Sequence, residues 1–161
     1  LHKGIELSLN NQFNDQFEAF VAISKSEHEY DDYVLDAGRE DFKGNSKAKD
    51  FSGNTMKMAP DYLLNARLVY TPDYLTGFTS TIEVKSVGDY YMDDENTKEY
   101  EGYTIANLKF NYQLTKQLRL HGRVINLTDK YYAQQAEISY GKERYAPGAQ
   151  RTVYLGFGYQ F

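Results

Sequence analysis

The stretch "RTVYLGFGYQF" at residues 151–161 decides the fold, because its side chains alternate between two kinds. A β-strand directs successive side chains to opposite faces. The residues between the large apolar or aromatic positions are mostly small or polar, so the stretch predicts a strand with one apolar face and one polar face. The apolar or aromatic positions are Val153, Leu155, Phe157, Tyr159 and Phe161.

Six further segments alternate in the same way, so the sequence predicts about seven strands. Each approaches the length of about 9–11 residues that a tilted membrane strand needs. The last of the six is the least regular, since its alternation is blurred near Ile125. The segments are "GIELSLN" (4–10), "FEAFVAISK" (17–25), "DYLLNARLVY" (61–70), "GFTSTIEVKSVG" (77–88), "YTIANLKFNYQL" (103–114) and "LRLHGRVINL" (118–127).

The connections between these segments alternate strictly between short and long. An antiparallel membrane barrel has short turns at one end and long loops at the other, whereas a soluble sandwich has no reason to show this order. A soluble β-sandwich with its apolar faces in a core nevertheless stays open as an alternative. The short connections are 11–15, 71–77 and 114–116, and the long ones are roughly 27–58, 89–101 and 128–149.

The composition agrees with a barrel and excludes other classes. The 161 residues include 16 Tyr and 9 Phe, which gather near the predicted strand ends, where a ring with a hydroxyl suits the lipid–water boundary. The chain has no Cys, which excludes disulfides and thiolate metal sites. A net charge of −5 argues against nucleic acid as a partner. No window approaches the roughly 20 apolar residues of a membrane helix.

The end of the chain resembles the C-terminal end of TonB-dependent outer-membrane receptors. The resemblance rests on "RVINLTDKYYAQQ" (123–135) followed by "YAPGAQRTVYLGFGYQF" (145–161). The segments "HKGIELSL" (2–9) and "GNTMKMAPDYLLNARLVYTP" (53–72) are similar to upstream strands of the same barrels. The residues that match the family motif are Asn126, Leu127, Asp129, Tyr132, Pro147, Gly148, Arg151 and Phe161.

This resemblance implies an all-β, antiparallel transmembrane β-barrel of 22 strands with a plugged lumen. Residues 1–161 would supply about the last seven strands, with the N-terminal plug domain and the other strands absent from the chain. It implies a receptor of the bacterial outer membrane, not an enzyme, that imports a scarce ligand such as a ferric siderophore or cobalamin. The implied partners are the plug, the TonB complex, the lipid bilayer and the assembly machinery that reads the terminal aromatic residue.

The third long connection is the place where the sequence predicts ligand contact. Lys142, Arg144 and Tyr145 set cations beside an aromatic ring, which suits an anionic, aromatic-bearing metal chelate. The same expectation extends to Tyr90 and Tyr91 in the second long connection. No cofactor is expected.

The sequence contains two groups of potential metal ligands, and neither is expected to bind a metal. The acidic residues of the second connection could hold calcium, but their spacing does not match the EF-hand pattern, which favours a solvated hairpin tip. His2, His28 and His121 are far apart in sequence, and nothing in it groups them as ligands. The acidic residues are Asp89, Asp93, Asp94, Glu95, Glu99 and Glu101.

A row of cations falls on the polar faces of the strands. We expect them to pair with Glu6, Glu18 and Glu83 along the same wall, and the alternatives are carboxylates of the plug or a ligand in passage. The cations are Arg67, Lys85, Lys109, Arg119 and Arg123.

Two other functions stay open from the sequence. One is a small outer-membrane enzyme, for which His28 with Asp31 or Asp32 is the one faint catalytic candidate. The other is a passive porin, which would conduct without any plug.

Overall fold

The computed structural model describes residues 1–36 and 38–161, and strands are its only regular elements in that part of the chain. Ala37, within the first long connection, lies outside the described residues. No helix among the described residues is long and apolar enough to span a membrane. The strands are β1 (His2–Gln12), β2 (Phe17–His28), β3 (Val34–Leu35), β4 (Lys49–Asp50), β5 (Tyr62–Tyr70), β6 (Phe78–Val87), β7 (Tyr90–Tyr91), β8 (Glu99–Tyr100), β9 (Tyr103–Gln113), β10 (Leu118–Ile125), β11 (Ala133–Ser139), β12 (Lys142–Pro147) and β13 (Thr152–Tyr159).

Seven long strands form one sheet in the order β1-β2-β5-β6-β9-β10-β13. Each long strand pairs antiparallel with the next one along the chain, so the sheet is a simple up-and-down meander. All seven predicted strands are confirmed, with ends that differ from the predictions by a few residues. Because the strands alternate in direction, the three short turns lie at one end of the sheet and the three long connections at the other.

The pairing register keeps the apolar positions on one face of the whole sheet. Ile82 of β6, for example, lies opposite Leu68 on one side and Leu108 on the other. On β13, Leu155 is 76% exposed and Phe157 is 73% exposed. No second sheet covers this face in the described part of the chain. The alternative of a soluble sandwich is therefore wrong, since its apolar face would be packed.

Each long connection carries a short hairpin, of which the sequence predicts only the one in the second connection. The hairpins are β3–β4, β7–β8 and β11–β12. Short strands of two residues, such as β3 and β7, leave no periodic signal in a sequence. We call the described residues of the three long connections (27–36, 38–58, 89–101 and 128–149) the loop layer.

The buried core lies largely in and under the loop layer and not between the long strands. Tyr90, Met92, Ala133 and Ala136 form one buried cluster, with Met58 from the first connection against it. A second cluster consists of Val87, Tyr103 and Ile105. It lies at the ends of β6 and β9 that meet the loop layer, where Tyr132 packs on it. The polar face of the sheet is thus apolar at the end that meets the loop layer.

Candidate ligand-binding loops and closing motif

Asp94 joins the first and second long connections. Its carboxylate accepts hydrogen bonds from the Tyr30 hydroxyl (2.6 Å) and from Lys57 Nζ (2.9 Å), and its backbone carbonyl accepts one from Asn54 Nδ2 (2.8 Å). Burial, together with the Asp94 carboxylate, raises the pKa of Tyr30 to about 12. The Asp94 hydrogen bond also raises the pKa of Lys57. The two connections are therefore held by charge-assisted hydrogen bonds around one carboxylate.

Asn96 strengthens the same junction through the backbone. Its Oδ1 accepts from the Thr55 N–H and its Nδ2 donates to the Thr55 carbonyl, both at 2.8 Å. Lys49 and Glu95 form a further ion pair between the two connections. An amide that pairs with both backbone groups of one residue fixes the position of that residue.

The second and third connections are joined by tyrosine hydroxyls. Tyr90 Oη accepts from the Ala136 N–H (2.8 Å), and Tyr100 Oη bonds both the N–H (2.8 Å) and the carbonyl (3.0 Å) of Ala133. Lys98 pairs with Glu143 at the surface. Since the first and third connections are each joined to the second, the loop layer is one packed unit.

The five residues predicted to contact ligand differ in their exposure. Lys142, Arg144 and Tyr145 are exposed on β12, and the Arg144 guanidinium lies 5.9 Å from the centre of the Tyr140 ring. Tyr91 is half-buried, and Tyr90 is only 5% exposed, because its ring is part of the loop-layer core. The hairpin therefore presents cations and aromatic rings to solvent, while Tyr90 supports it from below. The ligand role of these residues stays a prediction.

Three of the acidic residues of the second connection have separate partners. Asp93 accepts from the Thr97 N–H (2.9 Å), while Asp94 and Glu95 pair with lysines of the first connection. Asp89 lies beside Asp61 and Glu99. Burial is the main cause that raises the pKa of Asp61. The hydrogen bond with Asp89 is the main cause that raises the pKa of Glu99. No group of three or more His, Cys, Asp or Glu side chains suited to a metal occurs among the described residues.

Asn126 is the centre of the C-terminal motif. Its side chain is fully buried, and Nδ2 donates to the carbonyls of Lys130 and Ala149, both at 2.9 Å. Its Oδ1 accepts from the Lys130 N–H (3.0 Å), and its own N–H donates to Asn107 Oδ1 (2.9 Å). One side chain thus satisfies the backbone at both ends of the third connection.

Four other motif residues complete the return of the chain to the sheet. Asp129 accepts from the Arg151 N–H (3.0 Å), and its carboxylate lies 3.3 Å from the Arg151 guanidinium. Gly148 lies flat against the ring of Tyr132, where a Cβ atom would overlap the ring, and its N–H donates to the Tyr132 carbonyl (2.9 Å). The contacts of these residues lie within the chain, so the motif positions the start of β13.

The cations of the polar face have three kinds of partner: carboxylates, aromatic rings and a side-chain amide. Lys109 pairs with Glu83 at 2.7 Å and Arg67 approaches Glu18 at 3.9 Å, which confirms the expected pairing along the wall for these two. Arg123 instead lies over the Tyr154 ring at 4.4 Å, and Arg119 donates to Gln113 Oε1 at 3.1 Å. Lys85 lies 5.8 Å from the Tyr103 ring centre.

Sequence reasoning missed one contact near the end of the sheet that meets the loop layer. His2 and His28 lie directly opposite each other on β1 and β2, and their Nδ1 atoms are 2.6 Å apart. This contact is a hydrogen bond between two rings, so the expectation that nothing groups the histidines as metal ligands stays a prediction. The contact could be predicted only from the pairing register of β1 and β2, because the turn at 11–15 sets which residues of the two strands face each other.

Comparison with known proteins assigns the architecture. The family model described as "TonB dependent receptor-like, beta-barrel" matches residues 2–127. Among solved structures, the siderophore receptor PiuA from Acinetobacter baumannii shares 22% identity over 98% of this chain, with a TM-score of 0.75. The ferric yersiniabactin uptake receptor FyuA from Yersinia pestis shares 18% over 99%, with a TM-score of 0.74. FpvA from P. aeruginosa, solved with heterologous pyoverdines, shares 16% over 99%, with a TM-score of 0.69.

The chain spans about a fifth of the length of these receptors, at 21%, 23% and 19% of their chains. At these identities the likeness concerns the fold, and it agrees with the antiparallel meander and the uncovered apolar face. The family consists of outer-membrane receptors and transporters and not of enzymes. The chain belongs to the TonB-dependent receptor β-barrel family.

Proposed function

We propose that residues 1–161 are the C-terminal barrel portion of an outer-membrane receptor that imports a ferric siderophore or a similar metal chelate in a TonB-dependent manner. The observation that carries the proposal is the loop layer, which packs three long connections into one unit over the end of the polar face. A receptor needs such a folded surface at the mouth of its barrel, whereas a passive pore needs an open one.

The two faces of the sheet support a membrane orientation. Apolar side chains such as Leu155 would face hydrocarbon, and the cation-bearing polar face would line the lumen. The outer strands β1 and β13 each pair on one side only within the described residues. Because lipid does not tolerate open strand edges, further strands of the receptor would close the barrel and a plug would fill it.

The chemistry of the β11–β12 hairpin supports an anionic chelate as the ligand. Lys142 and Arg144 offer positive charge, and Tyr140 (94% exposed) and Tyr145 (50% exposed) offer rings beside it. Arginine and lysine bind carboxylate and phenolate oxygens, and rings stack on aromatic chelators. The names of PiuA, FyuA and FpvA, which refer to siderophores or to their uptake, support the same ligand class.

Uptake by the complete receptor tests the proposal. The receptor is expressed in a strain without its own siderophore receptors, and growth in iron-depleted medium is scored on a panel of catecholate, hydroxamate and carboxylate ferric chelates. We expect growth on at least one chelate, and loss of that growth when TonB is deleted. Growth that persists without TonB would favour a passive pore, and absence of growth on every chelate would overturn the ligand class.

The hairpin is tested by a matched pair of variants. Lys142→Ala with Arg144→Ala removes two hairpin cations, and Lys43→Ala with Lys47→Ala removes two exposed cations from the first connection. We expect the first pair to weaken binding of the identified chelate at least about tenfold, which equals the roughly 1.4 kcal/mol of one charge-assisted contact. Equal effects of the two pairs would show that the hairpin has no special role.

A further inference from the structure

His2 and His28 converge near the outer end of the polar face of the sheet. The residues are 26 positions apart in sequence, yet their Nδ1 atoms are 2.6 Å apart and their ring centres 4.9 Å apart. Imidazole nitrogen is a preferred ligand of zinc, copper and nickel ions. At this distance the two nitrogens share a hydrogen bond, and an ion that displaces the shared proton would have both nitrogens as ligands.

The strand pairing fixes this meeting of the two rings. The β1–β2 ladder runs without a shift from the pair Gln12 and Glu18 up to His2 and His28. In the next pair, the Glu29 N–H donates to the Leu1 carbonyl (3.0 Å) and the terminal ammonium of Leu1 donates to the Glu29 carbonyl (2.8 Å). His2 and His28 are therefore a non-hydrogen-bonded pair, the position at which cross-strand side chains come closest.

Ser26 orients the ring of His28. His28 Nε2 lies 2.9 Å from Ser26 Oγ, on the same face of the same strand. When Nε2 carries the proton and donates it to Ser26, the lone pair of Nδ1 points toward His2. A metal-binding histidine ordinarily makes this kind of hydrogen bond with its other nitrogen, because it fixes the tautomer and the ring.

The pair is accessible to a cation. His28, but not His2, also lines a cavity of about 260 Å³ with Asp61, Asp89 and Glu99. His2 is exposed and His28 is partly exposed, so an ion can reach them from solvent. The neighbouring Lys3 pairs with Glu27 at 2.7 Å on the opposite face of the strands, so its charge is directed away.

We propose that His2 and His28 form a binding site for a divalent ion of the zinc, copper or nickel class, with the two Nδ1 atoms as ligands. Zn–N bonds of about 2.0–2.1 Å in tetrahedral geometry place two nitrogens about 3.3 Å apart, so the rings need to separate by less than about 1 Å. The other coordination positions stay open to water or to oxygen donors of an incoming ligand. The site does not depend on the siderophore proposal.

The test titrates the complete receptor, purified in detergent, with zinc chloride by calorimetry. The variants are His2→Asn and His28→Asn, and the control is His121→Asn, which removes the third histidine of the chain from the same polar face. We expect one zinc equivalent that each of the first two variants weakens at least about tenfold, while the control leaves it unchanged. The double variant should bind zinc no more weakly than either single variant, because chelation of the ion needs both histidines.

Copper provides a second readout that does not depend on affinity. The electron paramagnetic resonance spectrum of Cu²⁺ on the wild-type receptor should show two coordinated nitrogens, and each single variant should lose that signature. Ser26→Ala should weaken zinc binding without abolishing it, because it releases the ring and leaves both ligands. Absence of zinc binding to the wild type, or an affinity that His2→Asn or His28→Asn leaves unchanged, would overturn the proposal. Heat-modified gel mobility confirms that each variant folds.

Discussion

The Nδ2 atom of Asn126 donates a hydrogen bond of 2.9 Å to the carbonyl oxygen of Ala149, 23 residues further along the chain. This bond connects the end of β10 to the approach to β13 across the base of the third long connection. Asn126 has a φ of 51°, in the left-handed region that asparagine adopts more readily than most residues. The left-handed backbone conformation and the hydrogen bonds of the side chain therefore both favour asparagine at position 126.

Replacing Asn126 by alanine should destabilise the start of the last strand. The substitution removes the hydrogen bonds to the Lys130 and Ala149 carbonyls and to the Lys130 N–H, and each such bond contributes about 0.5–1.5 kcal/mol. We expect the complete receptor to lose its heat-modifiable folded band at a lower temperature. Asn111→Ala, at an exposed position of β9, is the control and should leave that temperature unchanged.

Gly148→Ala should disturb the same region through a steric clash. A Cβ atom at Gly148 would overlap the Tyr132 ring, whereas a Cβ atom at Gly158 meets no atom within 4 Å. Overpacking of this kind costs about 1–3 kcal/mol. Thermal unfolding of the two variants provides the comparison, and equal stability would show that the ring moves aside freely.

Tyr30 should titrate far above an ordinary tyrosine. Its pKa is raised to about 12 by burial and by Asp94, so the folded state favours the protonated hydroxyl. The stability that Tyr30 contributes is complete below pH 10 and is lost between about pH 10 and 12 as the proton leaves. The difference in tyrosinate absorbance between wild type and Tyr30→Phe should have a midpoint near 12. In the Asp94→Asn background that midpoint should move toward 10, and a midpoint already near 10 in the wild type would contradict the buried hydrogen bond.

Met92→Ala should loosen the loop layer and leave the sheet intact. Met92 is 1% exposed within the loop-layer core, and truncation of a buried methionine to alanine costs about 2–5 kcal/mol. We expect faster proteolysis in the long connections at unchanged barrel folding. Phe42→Ala removes a fully exposed apolar side chain and should not change the cleavage rate. Faster cleavage in both variants would mean that the connections are not a packed unit.

Leu155→Arg should impair membrane assembly far more than Asn111→Arg. Leu155 lies on the apolar face and Asn111 on the polar face of the same sheet. An arginine facing lipid costs about 2–4 kcal/mol near the bilayer midplane, whereas one facing the lumen remains hydrated. The amounts of each variant in outer-membrane fractions measure the difference. The reverse order would require the apolar face to point inward.

The alternation along each strand was readable from the sequence because it is a local property. A period of two places Val153, Leu155 and Phe157 on one face whatever the strand packs against. The order of short and long connections then predicts a meander, and the terminal motif indicates the family. Roles within that motif were not readable, since the bond from Asn126 to Ala149 crosses the whole third connection.

The contacts between distant segments were decided by tertiary structure. Tyr90 looks in sequence like an exposed loop aromatic, but its hydroxyl meets the Ala136 N–H and its ring becomes core. His2 and His28 look isolated until the strand register brings their rings together. Local periodicity depends on backbone geometry alone, so a sequence expresses it directly. Contacts between connections depend on where several loops end in space, and that position follows from the assembled sheet.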